Sequence, residues 1–299
     1  MQGSTYLIGV LLAVSSGIAN NVGTLLQKKV INDRPIDAKV GRSLLKSPLW
    51  MLGLLLQLAL GTVFFLFAID MIGPALTPGL MAAGLIVLAV GAVKLIGEQL
   101  KLEEYLGIIL MVIAITFLGF SELDTGTHIE DLLNMGDTGF ILRICIFTGI
   151  LSAIALVCHI LEKMKTRYKG LYLAIFSGCM FALSNFWVAP LVAVIASVFS
   201  GIFLPIQLVF FILAAIILCL TNFLGTLKIQ QAFIYGQASN MIPIQQVPIQ
   251  ISPIFVYFAV VLLIPLEVYS IPLMIAGVGL IIVSSFLLAK RQAQLEQIK

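Results

Sequence analysis

Nine apolar stretches limit what this chain can fold into: Tyr6–Gln27, Leu49–Ile69, Ile72–Ile96, Tyr105–Phe120, Gly139–Leu161, Leu171–Val198, Leu204–Leu227, Gln237–Leu263 and Ile271–Ala289. A helix needs about 20 apolar residues, or about 30 Å, to cross a bilayer's hydrocarbon. In hydrocarbon every backbone N–H and C=O must be satisfied within the protein, which a helix does by itself. Only 10% of the residues are charged and 61% are hydrophobic, whereas a globular chain is about 25% charged. The expectation is an all-α polytopic membrane protein with about nine transmembrane helices.

Nine crossings also sort the charges. With the N-terminus outside, the inner side receives Lys28, Lys29, Arg34, Lys39, Arg42 and Lys46, then Lys94 and Lys101, then Lys163, Lys165, Arg167 and Lys169. Lys228, Lys290, Arg291 and Lys299 follow on the same side, leaving Arg143 alone at the outer end of the fifth crossing. Lysine and arginine collect on the cytoplasmic side, so the reading is N-terminus outside and C-terminus cytoplasmic. The outer connection before the fifth crossing is acidic, with Glu122, Asp124, Glu130, Asp131 and Asp137. It is either a solvated loop or a vestibule that concentrates cations. Before Tyr6 there is no lysine or arginine, and the first apolar run is too long for a cleaved signal.

The two halves repeat. Ser16-Gly17 aligns with Ser177-Gly178, Leu60-Gly61-Thr62 with Leu224-Gly225-Thr226, Ala68 with Ala232, Pro78 with Pro243, and Glu98 with Glu267. Each half then holds four crossings with the fifth between them, so the second half enters from the opposite face. This 4+1+4 inverted repeat divides the chain into residues 1–121, a linking region 122–168, and residues 169–299.

The most unusual stretch is Gly236–Pro253, where Pro243, Pro248 and Pro253 interrupt an otherwise spanning run. Proline removes a donor and clashes with the preceding turn, which a membrane helix tolerates where neighbours or a wet cavity satisfy the freed carbonyls. Ser239, Pro243, Gln246, Gln250 and Pro253 fall on one face at helical spacing. A weaker copy, Gly73 to Gly79 with Pro74 and Pro78, lies in the first half. Paired interruptions in two halves point to a transporter's binding site; the alternative is a kinked helix whose glutamines bond to neighbouring helices.

Few charges lie deep in the apolar runs. Asp70, Lys94, Glu98, Glu162, Lys228 and Glu267 fall near the ends of crossings, where they are expected to reach water. Lys94 and Glu98 share a helical face and read as a surface pair; the alternative is gating by Glu98 and Glu267, at opposite mouths of the inverted repeat. The deep polar groups are neutral: Asn20 and Asn21, Gln57, Asn185, Asn222, Gln246 and Gln250. Their amides both donate and accept, so they either line a cavity for a polar solute or join helices. Trp50 and Tyr235 are expected at the interface, and Trp187, beside Phe186, either packs or walls a pocket. His159 either shuttles protons or is hydrogen-bonded.

The pieces Ala68, Pro74-Ala75-Leu76-Thr77-Pro78, Gly97-Glu98-Gln99-Leu100 and Gly107, repeated as Ala232, Ser239 to Pro243 and Glu267, resemble the drug/metabolite transporter superfamily. They are most similar to its EamA-type repeats and its NIPA-type magnesium transporters. The resemblance covers most of the chain, best over 50–120 and 215–290. It implies alternating access and, on the NIPA-like branch, nine crossings and a divalent cation as cargo. That branch carries a carboxylate in the crossing equivalent to Leu49–Ile69, where this chain has Gln57 as its one strongly polar group.

No P-loop, HExxH or G-x-S-x-G is present, so neither an enzyme nor a nucleotide cofactor is expected, and transport would run downhill or on an ion gradient. Cys145, Cys158, Cys179 and Cys219 lie in apolar runs and read as buried thiols. The expected partners are the bilayer and a small polar solute or divalent cation, not nucleic acid. A homodimer through Gly277 and Gly279 is conceivable. The rival reading is a passive membrane protein, either a lipid scramblase or a packing subunit of a larger complex.

Overall fold

The structure, a computed structural model, describes residues 2–33, 46–81, 83–121, 137–164, 168–201, 203–262, 264–265 and 267–298. The acidic residues 122–136 and the basic positions Arg34, Lys39, Arg42, Lys165, Arg167 and Lys299 lie outside the described residues, as do the side chains of Asp70, Pro74, Pro78, Lys290 and Arg291. Among the described residues every regular element is helical. In chain order these are α1 (Gln2–Asn32), α2 (Pro48–Leu55), α3 (Gly61–Met81), α4 (Ala83–Gly91), α5 (Leu102–Phe120), α6 (Thr138–Lys163), α7 (Lys169–Ser200), α8 (Pro205–Tyr235), α9 (Ala238–Phe255) and α10 (Ser270–Ile298). Single π-helical turns follow α2, α4 and α9, at Leu56–Leu60, Ala92–Ile96 and Val256–Val260.

Local chemistry sets several boundaries. Ser47 caps α2 by accepting from the Trp50 N–H, and Pro48 begins the helix where no donor is needed. Asp137 caps α6 by accepting from Gly139 and Phe140, both at 3.0 Å. Gly97 and Gly201 end their helices in the left-handed region, at φ +78° and +76°, where a side chain would be strained.

Among the described residues six helices are long and apolar enough to cross a membrane: Tyr6–Asn32, Pro48–Ala68, Thr138–Lys163, Lys169–Val188, Pro205–Tyr235 and Ser270–Leu288. The other three expected crossings fall on the shorter apolar helix Ala83–Ile96, on α5 with Glu103 and Glu104 in its first turn, and on the proline- and glutamine-rich α9. Many large apolar side chains remain exposed, among them Leu11, Leu55, Leu66, Ile150, Ile216, Phe223 and Phe286. A chain covered by lipid leaves such a surface, whereas a soluble monomer rarely exposes large contiguous apolar patches.

The helical run Gly61–Met81 is not one straight rod. Gly61 packs against the Asn20 side chain, and Met81 packs against Gly17, one turn away on α1. Twenty-one helical residues laid straight would hold those ends about 30 Å apart. The run therefore turns back between them. One pass is antiparallel to α1, with Gly53 at Gly23 and Gly61 at Asn20. The return is parallel, with Gly84 at Gly17 and Gly91 at Leu25.

Close approaches of this kind recur. Ser16 donates to the Gly61 carbonyl at 2.7 Å, and Ser177 donates to the Gly225 carbonyl at 2.7 Å. Gly17 packs on the Met81 backbone, and Gly178 packs on the Gln245 backbone and the Pro248 ring. Where α5 meets α10, a Cβ added at Gly107 would stand 2.8 Å from Leu288, and one at Gly277 would stand 2.8 Å from Leu118. Gly277 is thus occupied within the chain, while Gly279 faces open space. We predict that Gly107→Val lowers the unfolding temperature in detergent and that Gly279→Ala leaves it unchanged.

Two apolar clusters hold the helices together. One draws Leu25, Leu88, Met111, Phe233, Met241 and Ile281 from both halves. The other packs α7 against α6 and against α8 through Phe140, Phe147, Phe186, Trp187 and Phe210.

Candidate functional site at the break between α8 and α9

Helix α8 stops at Tyr235 and α9 starts at Ala238, so the carbonyls of one helix end and the N–H groups of the next are separated by two residues of chain. A helix leaves four carbonyls and four N–H groups unpaired at its ends, with partial negative charge at the C-terminus and partial positive charge at the N-terminus. The first half supplies the opposite charge to each. Lys28, buried at the end of α1, donates to the carbonyls of Phe233 and, at 2.7 Å, Gly236. Its ammonium also lies 5.7 Å from the centre of the Phe233 ring, within range for cation–π attraction.

Glu98 answers at the other side of the break. Its carboxylate accepts from the N–H of Ala238 at 2.7 Å, the N–H of Ser239 at 3.3 Å and the Ser239 hydroxyl at 2.7 Å. The left-handed Gly97 ends the π turn one residue earlier, and the Glu98 N–H returns to the Ala92 carbonyl at 2.9 Å. Glu98 is therefore buried while Lys94 is exposed, and Lys94 makes none of the ion pairs among the described residues. The expected surface pair gives way to a helix cap because the turn at Gly97 redirects the carboxylate.

The ties extend on both sides. Asn240 donates to Glu104 at 2.7 Å, and Glu104 accepts from the Lys101 N–H at 2.7 Å. Gln230 donates to Gln27, Gln27 donates to Gln57 at 3.1 Å, and the Trp50 indole donates to Gln230 at 3.3 Å. Trp50 is accordingly buried rather than set at an interface, because its N–H finds a partner inside. Every one of these bonds except the Glu104–Lys101 and Gln27–Gln57 contacts joins the first half to the second.

The predicted residues divide between this seam and other places. Glu98, Ser239 and Gln57 meet at it. Gln246 and Gln250 are half-buried two and three turns along α9, with Gln250 donating to Gln246 at 3.3 Å. Asn222 donates to Ser184 at 2.6 Å and to the Leu218 carbonyl at 2.9 Å, which joins α8 to α7. Asn20 rests against Gly61, Asn21 turns back to the Gly17 carbonyl at 2.8 Å, and Asn185 is exposed. Pro243 is buried, Pro248 packs on Gly178, and Glu267 is exposed. Trp187 is buried, donates to Thr148 at 3.1 Å and packs on Phe186 and Phe210.

Two further end-of-crossing charges are buried instead of reaching water. Glu162 and Lys228 form an ion pair between α6 and α8. His159 joins it at 2.7 Å from Glu162 and 3.2 Å from Lys228. A buried charge needs such partners, and the tertiary fold supplies them by bringing His159 and Glu162 of α6 to Lys228 of α8.

Sequence reasoning missed Gln27, Lys28, Glu104, Gln230, Asn240 and Gln245, the last donating to Ser177 at 2.7 Å. Glu104 had a local signal, since an acidic residue three places into a helix reaches back to cap it. Lys28 had none, because a lysine at the end of a crossing reads as an interfacial charge. Among the described residues no group of three or more His, Cys, Asp or Glu is placed to hold a metal ion. No protein-family model, curated protein or solved structure matches this chain.

Proposed function

We propose that this chain is a multi-pass transporter of the drug/metabolite type, moving a small polar solute by alternating access between two inverted halves of four crossings. The observation that carries this reading is the α8–α9 break, whose two helix ends are held by opposite charges, Lys28 and Glu98, from the other half. The break is the connection between the seventh and eighth crossings. Helix ends held by charges from the other half form a contact that can close one side of the interface between two rocking halves.

Support for the repeat comes from paired contacts. The Ser16–Gly61 and Ser177–Gly225 bonds are equal in length, and Gly17 on Met81 matches Gly178 on Gln245. Gly107 on Leu288 and Gly277 on Leu118 exchange roles under a single offset of 170 residues, as a two-fold axis between α5 and α10 requires. With the basic ends cytoplasmic, the Glu98–Lys28 seam closes the inner side, and the α9 face with Gln246 and Gln250 lies deeper in the membrane.

The neutral amides suit an organic solute with its own donors and acceptors better than magnesium, which favours carboxylates and retains its waters. The test is uptake into proteoliposomes of labelled neutral amino acids, amines and magnesium, with and without a pH gradient. Saturable uptake of one class is expected, and Gln246→Leu or Gln250→Leu should reduce it about tenfold, the effect of losing one well-made polar contact. Lipid scrambling without solute uptake, or neither, would replace this reading with that of a passive membrane protein.

A further inference from the structure

The two ends of the repeat are not equally equipped. Contacts of α1 with the return pass and of α7 with α9 share an offset of 164 residues, from Met81 to Gln245 and from Gly84 to Pro248. On that offset Ala238 and Ser239 correspond to Pro74 and Ala75. Glu98 corresponds to Glu267, which here is exposed. Offset 161, which relates Ser16 to Ser177, places Ala189 where Lys28 stands.

The seam now closed has an ammonium on the α8 carbonyls and a carboxylate with three donors. Its counterpart at the acidic-loop end has a carboxylate, Ala189 in place of Lys28, no hydroxyl at Ala75 and no N–H at Pro74. Arg143 at that end donates to the Val260 carbonyl at 2.7 Å instead. One backbone donor, that of Ala75, remains from the set of three. Fewer charge-assisted bonds at a helix end mean a weaker closure.

We infer that the cargo-free protein rests closed at its basic end, latched by Glu98 and Lys28, and that in the opposite-facing state Glu267 accepts from the Ala75 N–H in Glu98's place. This rests on the inverted-repeat reading above. It assigns Glu98 and Glu267 as alternating positioning residues of unequal strength, so the two states are unequally populated before any cargo binds. A ligand or substitution then shifts the balance only by its differential effect on the two closures.

The experiment is pulsed-dipolar distance measurement on the full chain in liposomes without cargo, with Cys145 and Cys219 replaced by alanine. One spin-label pair, Lys94→Cys with Met164→Cys, reads the basic end; another, Phe120→Cys with Ser200→Cys, reads the opposite end. All four positions are exposed. The wild type should give a single short basic-end distance. Glu98→Gln should raise the open fraction there about tenfold, equivalent to about 1.4 kcal/mol, with a matching rise in the short distance at the other end. Lys28→Met should act in the same direction, which serves if Glu98→Gln does not fold.

Glu267→Gln alone should leave the basic-end distance as in the wild type. Added to Glu98→Gln, it should remove the short distance at the opposite end. A basic-end distribution unmoved by both Glu98→Gln and Lys28→Met overturns the latch. An opposite-end distribution indifferent to Glu267→Gln in the Glu98→Gln background overturns the role of Glu267. Distances that exchange between the ends without any solute uptake would uphold the latch and remove the transport reading, so the two fail separately.

Discussion

Gly178→Val should leave little folded protein. A Cβ at Gly178 would fall on the Gln245 carbonyl and against the Pro248 ring, and backbone cannot step aside as a flexible side chain can. The valine would push α9 off α7, and with it Gln245 off Ser177 and the N-terminus of α9 off Glu98. Overpacking of a tight contact costs about 1–3 kcal/mol, and loss of the coupled buried bonds brings the total to about 4 kcal/mol or more. Gly17→Val should do the same in the first half, where Met81 backbone occupies the space. The measurement is size-exclusion chromatography with thermal unfolding in detergent, and Gly149→Ala serves as control because nothing lies within 4 Å of that position. A monodisperse Gly178→Val protein with wild-type unfolding temperature would rule out the α7–α9 contact.

Glu98→Ala should be the most damaging change to any single polar side chain at the seam. It removes the acceptor from the N–H of Ala238, the N–H of Ser239 and the Ser239 hydroxyl, all buried. A buried donor left unpaired costs about 1–3 kcal/mol, and the helix N-terminus loses its countercharge. Water admitted to the site would offset part of this, so a net loss of about 3 kcal/mol is expected. Ser239→Ala, which deletes one of the three bonds, should cost about 1 kcal/mol. Hydrogen exchange gives the sharper readout: the amides of Ala238 and Ser239 should exchange markedly faster in Glu98→Ala, while those in the middle of α7 stay protected. Equal protection in the two proteins would mean that Glu98 does not hold this helix end.

Some of this was readable along the chain and some was not. The apolar runs, the prolines of α9 and the serine–glycine pairs at Ser16 and Ser177 are local signals, because each depends on the chemistry of a few adjacent residues. Glu98 and Ser239 were both visible as candidates, yet nothing in the sequence joined them. They lie 141 residues apart. Trp50, Glu162 and Lys228 were misplaced for one reason: a polar group near the end of a crossing can meet water or a neighbouring helix, and sequence does not say which. Amphipathic stripes were an imperfect guide on α9, where Ser239 and Pro243 are buried but Gln246 and Gln250, on the same face, are only half-buried. Gln245, off that stripe, is the glutamine that packs against α7.

Composition and apolar run length by themselves determine that the chain is helical and suited to a bilayer, because hydrocarbon offers backbone groups no other partners. Which charges are buried, which glycines are crossed by backbone, and that Lys28 and Glu98 close on the two ends of one break, only the tertiary structure decided. Those contacts depend on the angles and depths at which helices meet, and such geometry is set by many side chains packing at once rather than by the residues that make the contact.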